Sequence, residues 1–199
     1  MSVLVTNPAP PFEATAVMPD GTCREGFTLE EFRGRYVLLF FYPFDFSAVC
    51  PTELLAIDHR LERFRERECE VVAISTDTHF VHRAWRDTAV EDGGIGAVQF
   101  PLVADVTKQI SRDYGVLLAD ALALRATFLI DRDGVVRYQV VNDPNTGRDI
   151  DDTLRTLDAV RHVDRHGRLC PAGWDEGDES IEDTPAGVVR YLKDFGPDL

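Results

Sequence analysis

One cysteine in this chain sits where a thiol could act as a nucleophile. Cys50 lies in Pro43-Phe44-Asp45-Phe46-Ser47-Ala48-Val49-Cys50-Pro51-Thr52-Glu53, directly after the apolar run YVLLFFY at 36–42. Nucleophilic cysteine chemistry uses the thiolate. The first turn of a helix carries backbone N–H groups without intrahelical partners and a partial positive charge, and both favour an anion. Pro51 suits such a turn, since it has no N–H to lose. Ser47, three residues before Cys50, can bring a hydroxyl beside the sulfur, either to accept a proton or to bond a substrate oxygen.

A thiolate also needs a fixed cation. Arg125 interrupts the apolar stretch ALALRATFLID, where a guanidinium is costly unless paired. Taken alone, a salt-bridged arginine at the core edge is the better explanation. Cys170 lies in LCPAGW, within a Gly-, Pro- and acid-rich segment. A free thiol in such a tail is an oxidation liability, so a partner is expected for it. Cys23 lies in the polar segment DGTCREG with no apparent base nearby, and Cys69, ahead of EVVAIST, reads as a packed or semi-exposed thiol; neither receives a role.

The elements that must hold these residues alternate. Continuous apolar runs at 36–42 and 71–75 read as buried strands, with a shorter one at 102–104. Segments 124–131 and 135–141 flank Asp133-Gly134 and read as a hairpin. Leu54, Ile57, Leu61 and Phe64 share one helical face, as do Ile150, Leu154, Leu157 and Val160. Helices are also expected over 79–89 and 107–114. The pattern is an α/β layered domain with a thioredoxin-like core and an N-terminal extension. From about residue 166 the composition cannot build a core, and an extended C-terminal tail is expected in which Trp174 docks on a surface.

Composition removes several classes of function. The 199 residues carry 35 acids against 21 bases, a formal net charge of -14, which disfavours nucleic acid and anionic membrane as partners. Only Lys108 and Lys193 among the bases are lysine. The start of the chain lacks a basic region followed by an apolar core, and no apolar run reaches 18 residues. A cytoplasmic protein with usable reduced thiols is expected. No cofactor is expected, because no dinucleotide or phosphate-loop fingerprint occurs. No metal is expected either, since the five histidines join no cysteine cluster.

The segment FFYPFDFSAVCPTE resembles the active-site signature of peroxiredoxins, and the chain is identified as a member of the typical two-cysteine branch that includes the alkyl hydroperoxide reductase C subunits. The resemblance runs over about residues 5–177. It implies that Pro43, Ser47 and Cys50 are active-site residues, with Cys50 peroxidatic. Ser47 stands where most members carry threonine. LRATFLID resembles a family segment whose arginine, here Arg125, contacts the sulfur and the peroxide. Glu53 and Arg148, in NTGRDIDDTL, match a glutamate and a second arginine that bond each other. LCPAGW resembles the segment of the resolving cysteine, so Cys170 would join Cys50 of the other subunit as a disulfide. STDTHFVHRAW matches a region in which Asp77, His82 and Trp85 pack and hydrogen-bond near a subunit interface.

By this resemblance residues 1–165 form a peroxidase domain and 166–199 a tail carrying the resolving thiol. The substrate is hydrogen peroxide or an alkyl hydroperoxide, and a separate dithiol donor, thioredoxin-like or a dedicated flavoprotein reductase, recycles the enzyme. The assembly is a homodimer, with a decameric ring as the larger form. Other readings stay open. A general thiol–disulfide oxidoreductase would need a second cysteine where Ser47 stands. A holdase chaperone, or a redox sensor that passes oxidation to a partner, is separated only by experiment.

Overall fold

A computed structural model describes residues 3–198. Two compact units divide the chain, one ending at Ile150 and the other beginning at Asp151.

The first unit begins with strands β1 (Glu13–Val17), β2 (Cys23–Thr28) and β3 (Tyr36–Phe41), followed by helices α1 (Cys50–Asp58) and α2 (Leu61–Arg65). Next come β4 (Cys69–Ser75), α3 (His79–Asp87), β5 (Leu102–Ala104), α4 (Gln109–Asp113) and the two-residue strands β6 (Leu117–Leu118) and β7 (Leu122–Ala123). Strands β8 (Arg125–Ile130) and β9 (Val136–Asn142) complete it. Seven strands form one sheet in the order β2-β1-β5-β4-β3-β8-β9. β3, β4 and β5 run parallel, and β8 returns antiparallel beside β3. This mixed sheet with helices is the thioredoxin-like architecture expected.

β3 is buried along its whole length, as a strand covered on both faces must be. Successive side chains alternate between faces. Val37, Leu39 and Phe41 join a core with Phe27, Val72, Ile74, Tyr114 and Phe128. There the rings of Phe41, Tyr114 and Phe128 lie 5.0–5.7 Å apart, tilted or edge-on. Phe40 and Tyr42 take the opposite face, and both serve the site described below. The hairpin between β8 and β9 closes where expected: Asp131 Oδ1 accepts from the N–H groups of Asp133 (3.0 Å) and Val135 (2.9 Å), and Gly134 takes the left-handed conformation.

The apolar spacing over 54–64 predicted one helix, and the structure breaks it in two. Arg60, with φ -112° and ψ 6°, separates α1 from α2. Each piece buries its own pair, Leu54 with Ile57 and Leu61 with Phe64. Apolar periodicity reports which face turns inward, so it does not register a break that leaves both faces inward.

Helix α5 (Ile150–His166), which lies in the second unit from Asp151 on, is 17 residues long, roughly 26 Å at the helical rise. Gly167 follows in the left-handed conformation that commonly ends a helix. Beyond it Leu169 and Ile181 exchange two backbone hydrogen bonds at 2.8 Å, and Arg168 bonds the hydroxyl of Ser180 at 2.7 Å. Trp174 is buried, its ring 4.7 Å from that of His162 and its Nε1–H donating to Asp178 O. The tail then adds a helix that was not foreseen, α6 (Pro185–Phe195). Thr184 caps it by accepting from Gly187 N at 2.9 Å, and Pro185 occupies the first turn.

Candidate active site

The loop leaving β3 delivers Cys50 as the first residue of α1, completely buried. Val49, the N-cap, offers no side-chain acceptor. The first turn closes instead through Thr52 N and Glu53 N, which reach back to Val49 O at 3.1 and 3.4 Å. Pro43 is buried at the end of β3.

β8 pairs with β3 so that Ala126 faces Phe41. This register sets Arg125, the first residue of β8, beside the point where the Cys50 loop departs. Arg125 Nη1 donates to Cys50 Sγ at 3.2 Å and to Glu53 Oε2 at 2.7 Å, and its Nε donates to Pro144 O at 2.7 Å. The guanidinium is therefore held on both sides while one N–H points at the sulfur.

Glu53 binds both arginines. Arg148 gives its backbone N–H and Nε to Oε1 and its Nη2 to Oε2, each at 2.9 Å. Its Nη1 donates to Ala126 O at 2.8 Å and Thr127 Oγ1 at 3.2 Å. Beneath it lies the ring of Phe40, with the guanidinium carbon 3.3 Å from the centroid. Burial lowers the pKa of Arg148, and the hydrogen bonds and charge of Glu53 oppose that shift. The three charged side chains are each 3% exposed or less. Two guanidiniums and one carboxylate leave a net positive charge out of water, which an anion at Cys50 would balance.

Ser47 Oγ is buried and makes no hydrogen bond. Buried hydroxyls are rarely left unpaired, and this one lies on the loop that carries the buried sulfur. A ligand oxygen would satisfy it.

A second buried network holds the same loop. Tyr42 OH donates to Asp45 Oδ1 at 2.8 Å, and His82 Nδ1 lies 2.7 Å from Asp45 Oδ2. Asp45 N donates to Asp77 Oδ2 at 2.9 Å. His82 Nε2 faces Val103 O at 3.2 Å and must donate there. The Asp45–His82 contact thus holds one proton, as carboxylate with imidazolium or as carboxylic acid with neutral ring. Burial raises the pKa of Asp45, with the His82 hydrogen bond acting against it. Phe46 adopts φ 54° and sets its ring 5.9 Å from that of Trp85.

In the second unit, Cys170 is half-buried and its thiol donates to Ala159 O at 3.6 Å. Burial raises its pKa, so this thiol is protonated at neutral pH. Cys23 is exposed, and Cys69 is buried with its thiol toward Glu70 O. Sequence reasoning did not reveal the Pro144 carbonyl, the Phe40 ring or the Asp45–His82 pair. The first is a backbone group with no residue signature. The Phe40 ring becomes visible only once β3 sends alternate side chains to this face, and the Asp45–His82 pair only once the loop after β3 meets α3.

Two family descriptions match the chain: the AhpC/TSA family over residues 5–139, and the C-terminal domain of 1-Cys peroxiredoxin over residues 159–194. Alkyl hydroperoxide reductase C of Helicobacter pylori strain J99 is 49% identical over 193 residues, covering 96% of this chain and 98% of that protein. Human peroxiredoxin-4 is 47% identical over 189 residues, 94% of this chain and 69% of its own length. The crystal structure of reduced Plasmodium vivax 2-Cys peroxiredoxin superposes with a TM-score of 0.94 at 42% identity, covering 96% of this chain and all of that one.

Proposed function

The chain belongs to the AhpC/TSA peroxiredoxin family and is a thiol-dependent peroxidase, and from that premise we propose that Cys50 is the residue oxidised by peroxide and Cys170 the thiol that resolves it. The observation carrying this reading is the 3.2 Å contact from an immobilised Arg125 to the Cys50 sulfur. Cys50 attacks the terminal peroxide oxygen as a thiolate. The O–O bond breaks, the S–O bond forms, and the departing oxygen takes a proton to leave as water or alcohol. Arg125 stabilises the charge that develops on the two oxygens, and Ser47 supplies its unpaired hydroxyl to one of them. Pro43 shapes the loop, while Glu53 and Arg148 hold Arg125 in place. Cys170 then condenses with the Cys50 sulfenic acid, releasing water and forming a disulfide. An external dithiol, thioredoxin-like or a flavoprotein reductase, supplies the two electrons that restore both thiols.

Residues 1–165 serve as the peroxidase domain and 166–199 as the tail that brings the resolving thiol from a partner subunit. Phe44, Phe46, Phe80 and Val106 are exposed by 45–73%, and Phe46 rests against Trp85 on the helix that also presents Phe80. Such apolar exposure supports self-association into dimers and a ring of dimers. Among the described residues no helix is long and apolar enough to cross a membrane, and a cytoplasmic location fits thiols that must be re-reduced.

The test is non-reducing electrophoresis after one equivalent of hydrogen peroxide. Wild type should give a dimer-sized band that both Cys50→Ser and Cys170→Ser lose. A wild-type band that stays monomeric while peroxide is consumed would exclude the intersubunit disulfide.

A further inference from the structure

None of the five histidines was expected to hold a metal, because none joins a cysteine cluster in sequence. The fold gives two of them another setting. His162 and His166 stand one turn apart on the same face of α5, with ring centroids 4.7 Å apart. His162 Nε2 is buried and makes no hydrogen bond. A cavity of about 260 Å³ adjoins both rings, and three carboxylates, Asp158, Glu176 and Asp178, line it together with Arg161 and Arg165.

Several physical terms favour a cation here. The pair lies in the last turns of α5, where the helix dipole is negative. Arg161 is already committed to Asp158 at 3.1 Å, and Arg165 is exposed and can turn away. Arg168 is engaged by Ser180 and Glu182.

We propose that His162 and His166 chelate a divalent transition cation of the Zn²⁺ or Ni²⁺ class at the C-terminal end of α5. Imidazole suits these ions, at metal–nitrogen distances of roughly 2.0–2.1 Å for zinc. Among the described residues no three His, Cys, Asp or Glu side chains converge closely enough to form a complete cage. The site is therefore a two-point chelate, with water or a tail carboxylate in the remaining positions. It forms by rotation of the exposed His166 ring and a matching turn of His162. An ion there sits beside the segment that carries Cys170, since Trp174 rests on His162 and the Cys170 thiol bonds Ala159, three residues earlier on α5.

The test uses the full chain with Cys50→Ser and Cys170→Ser, so that the two thiols cannot bind the ion and the result does not depend on the role given to Cys170. NiCl₂ is titrated while tryptophan fluorescence is followed, with a Trp174→Phe version separating Trp174 from Trp85. Saturable one-to-one quenching that belongs to Trp174 and is displaced by Zn²⁺ is expected. His166→Ala, a change at an exposed position, should weaken binding at least tenfold, and His166→Asn should do the same. Equal affinity in these variants, or no saturable quenching in the parent, would overturn the assignment.

Discussion

Arg125 and Glu53 lie 72 residues apart in sequence and meet at 2.7 Å with both side chains almost completely withdrawn from water. The same carboxylate receives Arg148, so one acid orients two guanidiniums, only one of which touches sulfur. Glu53 thereby sets the direction in which Arg125 points, and its removal has consequences for folding and for chemistry alike.

Glu53→Gln keeps the shape of the side chain and removes its charge. Two guanidiniums then share a buried space with no carboxylate between them. Breaking a buried ion pair in this way costs about 3–5 kcal/mol. Urea unfolding should show a loss of that size, together with slower peroxide consumption. Unchanged stability would mean that the arginines find other partners.

Arg125→Lys keeps the positive charge and loses the fork. One ammonium cannot serve Cys50, Glu53 and the Pro144 carbonyl in the geometry of a planar guanidinium. The rate of sulfenic acid formation, followed by stopped-flow peroxide consumption, should fall about 100-fold or more, as when a fixed donor to developing negative charge is removed. A rate within about threefold of wild type would remove Arg125 from the transition state.

Ser47→Ala and Ser47→Thr should part company. The hydroxyl of Ser47 has no partner in the protein, so alanine removes an unsatisfied buried group and should leave thermal stability unchanged or higher. Peroxide turnover should nevertheless drop, and threonine should retain it. If alanine destabilises the fold and spares turnover, the hydroxyl serves structure instead.

The pH dependence of stability should carry a mark from Asp45. Burial raises its folded pKa above the ordinary 3.8. Between that value and the raised one, the native state holds a proton that the unfolded chain has released, so stability falls as pH rises through the window. Asp45→Asn cannot ionise and should flatten that slope. Urea midpoints at a series of pH values between 4 and 7 would show it, and an identical slope in the variant would assign the effect elsewhere.

What the sequence disclosed and what it withheld follow the range of each interaction. The run at 36–42 showed β3 directly, because burial on both faces leaves no charged residue in it. Asp133-Gly134 disclosed its hairpin through local turn chemistry. The arginines at 125 and 148 stood out as unusual or familiar residues, but their meeting at Glu53 spans 72 and 95 residues and has no local trace. The α6 helix had a readable start in Thr184-Pro185, masked by the acidic, glycine-rich stretch before it. Asp45 and His82 each look like ordinary polar residues until the loop after β3 folds back against α3.

The break at Arg60 acts as a firebreak. α1 is only nine residues long, and the chain starts a fresh set of bonds beyond it, with Arg63 N and Phe64 N both donating to Arg60 O. Helical order is cooperative along an unbroken ladder, so melting that starts at Cys50 has little ladder to run along before it stops. Leu61 and Phe64 remain anchored in α2. A buried sulfur can thus be brought out to meet another thiol by uncoiling a turn or two, while the layer behind it holds still.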